Sequence, residues 1–243
     1  MILSVVSAKG GVGKTTLTAN LGVLLNRGGI KVLMVDADLA SGDLTQHLGG
    51  RSGSAGLHAL LSSEKISEEE VTKAVTQVFG VPLLPVVPSL RGYLKAKLEL
   101  FPSVLSFLKD QYDLLLIDTP PGVNKNSLVP LTESDKVLLV TTPDPVSVSD
   151  VSTSRDIAVL LEKSVMGVVI NRMRKSLLFG TRQLKPREVT GILKLKGLGV
   201  IPEDKSVGES VLARRPVVLH KPRSPASKAL RELARRVREE LSA

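Results

Sequence analysis

The ten residues from Ser7 to Thr16, SAKGGVGKTT, constrain this chain more than any other part of its sequence. They follow a mostly apolar run, residues 2–7, that is typical of a buried strand, and they precede a segment with leucines at helical spacing. Glycines at such a junction let the backbone turn tightly and direct its N–H groups at a polyphosphate. The stretch therefore predicts a phosphate-binding loop that opens a helix.

Each residue type in this loop has an expected role in holding a nucleoside triphosphate and Mg²⁺. Lys14 supplies a positive charge for the phosphates, and Thr15 supplies a hydroxyl for the metal ion. Further contacts to the nucleotide are expected from Gly10, Gly11, Val12, Gly13 and Thr16. The alternative is a glycine-rich turn that binds nothing, and the succession of strand, loop and helix disfavours it.

Two more apolar strands end in aspartates. Residues 32–35 lead into Asp36 and Asp38, and residues 114–117 lead into Asp118, followed by the sequence TPPG. Ligands of α/β sheets bind at the carboxyl ends of the strands, so we expect these carboxylates to face Mg²⁺ and phosphates. Gly122 leaves a backbone N–H free to contact a γ-phosphate. For Asp36 and Asp38 the alternative is an ordinary turn whose aspartates cap the next helix.

The sequence KGGVGKTT resembles the deviant Walker A motif of the MinD/ParA class of P-loop ATPases, and MinD-like proteins most of all. The resemblance implies that Lys9 reaches the phosphates bound by a partner subunit, although a simply solvated Lys9 is the alternative. It also gives Asp38 the task of positioning the attacking water, while Asp36 and Asp118 serve the water shell of the metal. Together with Lys14, Lys9 and Asp38 form the predicted catalytic set.

The same resemblance predicts an adenine pocket from two distant segments. Asn171 would bind the edge of the base, because an amide can both donate and accept hydrogen bonds, and Arg172 could stack on it. Pro202, Glu203 and Asp204 belong to an IPED sequence that lines the base pocket in MinD-like proteins, mainly through the backbone. Without the resemblance, Asn171 would be interpreted as a turn residue.

Strands alternate with helices along the whole chain. This order predicts an α/β fold, with a doubly wound, mainly parallel sheet that helices cover on both faces. The length of 243 residues and the lack of a linker-like stretch predict one domain over residues 1–243. Within it we expect one long amphipathic helix over about residues 92–109 and a glycine-rich loop over residues 49–56.

The composition excludes several classes of protein. The chain has no cysteine, so it forms no disulfides and offers no thiolate ligands, which excludes relatives that carry iron–sulfur clusters. No apolar run is long enough to span a bilayer, and Met1 leads directly into the first strand. We therefore expect a cytoplasmic protein, with peripheral association to a membrane or the nucleoid left open.

A formal net charge of +9 suits a polyanionic partner, either DNA or an anionic membrane surface. A basic surface that is merely solvated is the alternative. Basic residues between 172 and 187 surround Leu177, Leu178 and Phe179, which predicts either a contact surface or a helix packed on the core.

The last segment, from about residue 225, carries an apolar stripe that includes Leu230, Leu233 and Val237. Such a stripe suits a helix docked on the domain or one lying on a membrane. The segment has no aromatic residue, so no strong C-terminal membrane anchor is expected.

Taken as a whole, the resemblance implies an ATPase that dimerises around two Mg·ATP molecules. Water would attack the γ-phosphate in line, and hydrolysis would time the spatial positioning of a division or segregation apparatus. An activating protein partner is then expected. The alternative is an adaptor with little hydrolysis, in which ATP is structural and the basic face binds DNA; the presence of Asp38 disfavours it.

Overall fold

An eight-stranded sheet runs through the part of the chain that the structure describes, which is residues 1–50, 56–174 and 183–242 of a computed structural model. The strands are β1 (Ile2–Val6), β2 (Val32–Asp36), β3 (Thr76–Val78), β4 (Val81–Leu84), β5 (Leu114–Asp118), β6 (Lys136–Thr141), β7 (Ser164–Met173) and β8 (Gly197–Pro202). Their order across the sheet is β3-β4-β2-β5-β1-β6-β7-β8. Every pair is parallel except β3 with β4. The predicted fold class is therefore confirmed.

Helices connect the strands and cover both faces. They are α1 (Lys14–Arg27), α2 (Asp43–His47), α3 (Leu57–Leu61), α4 (Glu68–Ala74), α5 (Leu90–Lys95), α6 (Phe101–Lys109), α7 (Lys125–Thr132), α8 (Pro145–Leu160), α9 (Pro186–Leu193), α10 (Lys205–Leu212), α11 (Val217–His220) and α12 (Pro225–Ser242). Helices α1, α2, α11 and α12 share one apolar cluster with the sheet. On the other face, α3, α4 and α6 form a second cluster, and α8 and α9 a third.

Strand β1 illustrates why the sequences of the strands in this sheet are mostly apolar. Leu3 and Val5 pack into the cluster on the α1 face, while Ile2 belongs to the second cluster and Val6 to the third. Successive side chains of a strand point to opposite faces, so a strand covered on both faces needs apolar residues throughout. This central position fixes the loop after β1 at the carboxyl edge of the sheet, beside the ends of β5 and β6.

The prediction of one helix over residues 92–109 is wrong. The segment contains the end of α5, a 3₁₀ turn (Leu98–Leu100) and α6. The backbone is extended at Ala96, with φ −64° and ψ 120°. Pro102 lies in the first turn of α6, where its missing N–H costs no hydrogen bond, whereas inside one long helix it would break the bonding pattern.

The C-terminal segment forms helix α12, and its apolar stripe is buried. Leu230, Leu233 and Val237 are at most 2% exposed, which confirms docking on the sheet. Among the described residues, no helix combines the length and the apolar character needed to cross a membrane. Most of the glycine-rich loop, residues 51–55, and the apolar residues 177–179 lie outside the described residues.

Candidate functional site

The glycine-rich loop joins β1 to α1, as predicted. Gly11 and Gly13 have φ values of 75° and 98°, a region that L side chains rarely adopt. Gly13 is also the N-cap of α1, and no side chain occupies the helix N-terminus there. A β-carbon at Gly13 would overlap the Nδ2 atom of Asn171. The loop therefore presents backbone N–H groups that are open to an anion.

Lys14, the first residue of α1, is 6% exposed. Burial lowers the pKa of its ammonium group, and the nearby carboxylates of Asp118, Asp38 and Asp43 oppose that shift. A buried cation that these carboxylates only partly compensate favours an anionic ligand. This arrangement suits the phosphate contact predicted for Lys14.

Asp118, at the end of β5, is 1% exposed and accepts hydrogen bonds from two hydroxyls of α1. Thr15 Oγ1 donates to its Oδ2 atom at 2.8 Å, and Thr18 Oγ1 donates to its Oδ1 atom at 3.1 Å. Burial raises the pKa of Asp118 to about 6, although these hydrogen bonds and the charge of Lys14 act in the opposite direction. The structure thus joins Thr15 and Asp118, two residues that the sequence placed at one metal site.

Asp36, at the end of β2, lies directly beside Asp118 in the register of the two strands. Thr45 donates to Asp36 Oδ2 twice, from its backbone N at 2.9 Å and from Oγ1 at 2.7 Å. The side chain of Asp36 is completely buried, and burial together with repulsion from Asp118 raises its pKa to about 8. A divalent cation would relieve this repulsion.

Asp38 lies two residues further on and is 8% exposed. Its Oδ1 atom accepts hydrogen bonds from the backbone N–H groups of Ala40 and Ser41, both at 3.2 Å. The carboxylate therefore closes the turn that leads towards α2, but it does not cap that helix, whose N-cap is Gly42. The same carboxylate is close enough to Lys14 and Asp118 to affect their pKa values, which places it near the phosphate loop.

Lys9 is bound within its own chain instead of being simply solvated. Its Nζ atom donates to Ser147 Oγ at 2.9 Å and lies 3.4 Å from Asp144 Oδ1. Partial burial favours a raised pKa for Asp144, but hydrogen bonds from Thr142 and Ser147 and the charge of Lys9 hold its pKa well below the usual range. Both side chains of the ion pair keep about 40% exposure (39% for Lys9 and 44% for Asp144).

A cavity of about 200 Å³, here called the base cavity, opens beside the loop. Its lining includes Gly13, Thr16, Leu17, Asn171, Arg172, Ile201, Pro202, Glu203, Asp204, Val207, Gly208, Val211 and Leu230. The structure thus brings together the two distant segments that the sequence assigned to an adenine pocket.

Individual residues of the base cavity differ in how they are held. Asn171 Nδ2 donates to the carbonyl of Val12 at 2.7 Å, which ties β7 to the phosphate loop. Arg172 has a φ of 56°, an uncommon conformation for a residue with a side chain. The carboxylate of Asp204 accepts from the N–H groups of Ser206 and Ala226 and so caps two helices.

Sequence reasoning missed four residues of the site: Thr18, Thr45, Asp144 and Ser147. Thr18 could have been found, because it follows Lys14 by one helical turn on the same helix. Thr45, which orients Asp36, and Asp144 with Ser147, which hold Lys9, meet their partners only in the folded chain. No pattern of spacing predicts those contacts.

Comparison with known proteins decides the family. A sequence model of the ParA family, described as NUBPL iron-transfer P-loop NTPase, matches residues 1–238. The chain belongs to the ParA family of P-loop NTPases. An uncharacterised ATP-binding protein of Methanocaldococcus jannaschii is 36% identical over 234 residues, which cover 96% of this chain and 86% of that protein.

Solved structures agree with this ParA-family assignment. The cell division ATPase MinD of Pyrococcus furiosus superposes with a TM-score of 0.90 at 33% identity, covering 98% of both chains. The septum site-determining protein MinD of Pyrococcus horikoshii, complexed with Mg-ADP, gives 0.89 at 32% identity, covering 97% of this chain and 95% of that one. The predicted resemblance to the MinD/ParA class is therefore confirmed. The family description mentions iron transfer, but this chain has no cysteine and therefore offers no thiolate ligands for iron.

Proposed function

We propose that this ParA-family chain, as one domain over residues 1–243, binds ATP with Mg²⁺ and hydrolyses it to ADP and phosphate. The observation that carries the proposal is the convergence of Lys14, Thr15, Asp36, Asp38 and Asp118 below an open glycine loop. Relatives support the choice of nucleotide, since one is described as ATP-binding and another was solved with Mg-ADP.

The donor set fits Mg²⁺. Two buried carboxylates that repel each other and one hydroxyl are hard oxygen ligands, the kind that this ion prefers. We assign the metal site to Thr15, Asp36 and Asp118. Phosphate oxygens and water would complete the shell, since Mg²⁺ usually keeps several waters and binds through one or two carboxylates together with the phosphates of a substrate.

Different residues of the chain have different roles in hydrolysis. When bound, Mg²⁺ neutralises charge that develops on the phosphate oxygens. Lys14 and the N–H groups of residues 10–16 hold the phosphates and stabilise the same charge from the protein side. Asp38 orients the attacking water; its carboxylate is held by the turn that it closes, so it serves as an orienting group.

Asn171 gives the site a preference for adenine. Because its Nδ2 atom is engaged with the carbonyl of Val12, its Oδ1 atom is left to accept a hydrogen bond from the base. The amino group of adenine can donate that bond, whereas guanine presents a carbonyl oxygen at the same position. Arg172, Pro202, Glu203 and Asp204 complete the enclosure of the base in this proposal.

We further propose that ATP drives formation of a homodimer in which Lys9 reaches the nucleotide of the partner. Such a dimer, broken by hydrolysis, would act as a timer for positioning a division or segregation apparatus, with an activating protein and with DNA or an anionic membrane as the surface. The net charge of +9 supports a polyanionic surface.

Phosphate release tests the proposal. The wild-type chain should release phosphate from Mg·ATP in single turnover, and Lys14→Ala should abolish ATP binding. Asp38→Ala should bind ATP with unchanged affinity and lose hydrolysis by about 10²–10⁴-fold, because its role is confined to the transition state.

Two results would contradict this assignment. If the Lys14 variant keeps the nucleotide affinity of the wild type, the phosphate site is misplaced. If Asp38→Ala loses ATP affinity as completely as Lys14→Ala does, Asp38 is a metal or structural residue.

A further inference from the structure

A second cavity, here called the side cavity, adjoins the end of the phosphate loop at Thr15 and Thr16. It has a volume of about 390 Å³ and is lined by Thr15, Thr16, Asp43, Gln46, His47, Val211 and Arg214. Thr16 and Val211 line the base cavity as well, and Thr15 belongs to the loop. The two cavities therefore share a boundary at Thr16 and Val211, and the ribose and α-phosphate are the parts of a nucleotide that link a base in the base cavity to terminal phosphates in the loop.

His47 is the unexplained polar group of the side cavity. Its side chain is buried, with 7% exposure, and its Nε2 atom is shielded from solvent and has no hydrogen-bond partner among the described residues. Burial lowers the pKa of the imidazole, and the charge of Asp43 opposes this only in part. A neutral imidazole nitrogen can donate a hydrogen bond to a hydroxyl group or accept one from it, and a buried nitrogen without such a partner destabilises the fold.

Arg214 lies across the same cavity, in the loop between α10 and α11. It has a φ of 48°, and Gly49, with a φ of 62°, packs against it so closely that a β-carbon there would lie 3.3 Å from Arg214 Cβ. The uncommon backbone conformation of Arg214 and its close packing against Gly49 indicate that this part of the loop is held in place by its surroundings. Among the described residues, Arg214 forms no ion pair, so its guanidinium is available to an anion.

We propose that the side cavity binds the ribose and α-phosphate of the nucleotide, with His47 contacting a ribose hydroxyl and Arg214 contacting the α-phosphate. The inference rests on the proposed function, because it places a further part of the same nucleotide. Neither residue takes part in bond breaking; both determine which nucleotides bind. The chemistry of the cavity supports this division, since a neutral imidazole suits a hydroxyl and a guanidinium suits a phosphate oxygen.

Analogues that lack single groups test the proposal. Dissociation constants would be measured with Mg²⁺ for ATP, 2′-deoxy-ATP, 3′-deoxy-ATP and inorganic pyrophosphate. Wild type should bind ATP about three- to tenfold more tightly than one of the two deoxy analogues, and His47→Leu should remove that preference. Arg214→Ala should weaken ATP about tenfold and leave pyrophosphate unchanged, because pyrophosphate has no α-phosphate and occupies only the positions of the β- and γ-phosphates in the loop.

The neighbouring residue provides the matched control. Arg215 is exposed and does not line the side cavity, so Arg215→Ala should bind every ligand as the wild type does. If the wild type binds both deoxy analogues as tightly as ATP, the role of His47 is refuted without any variant. If Arg214→Ala weakens ATP and pyrophosphate equally, or matches Arg215→Ala, the role of Arg214 is refuted. A wild type that binds no adenine nucleotide would instead refute the proposed function.

Discussion

Asp36 and Asp118 give the metal-free chain a predictable dependence on pH. Both carboxyls are buried, and their pKa values, about 8 and about 6, exceed the unfolded value of 3.8. A raised pKa in the folded state means that folding is favoured below the unfolded pKa and loses that contribution as pH rises through the folded pKa. Between pH 5 and pH 8 we expect the free energy of unfolding to fall by on the order of 5 kcal/mol, mostly through Asp36. Urea denaturation in EDTA at both values would measure it.

The variant Asp36→Asn removes one of the two charges with little change of shape. Its free energy of unfolding should therefore fall much less than that of the wild type between pH 5 and pH 8, by only about 1 kcal/mol, which is the part due to Asp118. Mg²⁺ and ATP should restore stability to the wild type at pH 8, because they bind the ionised carboxylates. A wild type whose stability rises over this range without ligand would contradict the assignment of these two groups.

At the scale of elements, Gly13 links the loop, α1 and the end of β7. Its φ of 98° and the overlap of a β-carbon with Asn171 Nδ2 predict that Gly13→Ala destabilises the ligand-free chain by about 1–3 kcal/mol. Gly10 is the matched control, since a β-carbon there would meet only Pro121 Cβ, at 3.9 Å. Thermal unfolding of both variants without nucleotide would separate them. Equal loss of stability would contradict the backbone strain and the overlap with Asn171 inferred at Gly13.

The elements also show which features a sequence can predict. Buried strands that end in aspartates, and a glycine loop that opens a helix, are local patterns, so β1, β2, β5 and α1 were predicted correctly. The helix over residues 92–109 was not, because apolar spacing continues through a point where Pro102 starts a new helix. Nor could the spacing predict that Thr45 would hold Asp36. That contact depends on how α2 returns to the sheet.

For the whole molecule, the net charge of +9 predicts how a polyanionic partner would bind. Release of counterions dominates such contacts, so binding to DNA or to anionic vesicles should weaken about tenfold or more between 50 and 200 mM salt. Fluorescence anisotropy with DNA and sedimentation with vesicles would measure it. Binding that does not respond to salt would indicate an apolar contact instead, and no binding at low salt would leave the charge with a solvating role only.

The ATP-dependent homodimer depends on whether Lys9 can leave its own chain. Its Nζ atom is held by Asp144 and Ser147, but the ion pair is substantially exposed, and such pairs contribute only about 0–1 kcal/mol. Release therefore costs little compared with a contact to a partner's phosphates.

With a slowly hydrolysed ATP analogue the wild type should elute as a dimer in size-exclusion chromatography, and with ADP as a monomer. Lys9→Ala should bind the analogue within about threefold of wild type and elute as a monomer, since it loses only the contact across the interface. Asp144→Asn is the control: it keeps an oxygen to cap α8 at Ser147 and should still dimerise. A Lys9→Ala chain that dimerises as the wild type does would show that Lys9 acts only within its own subunit.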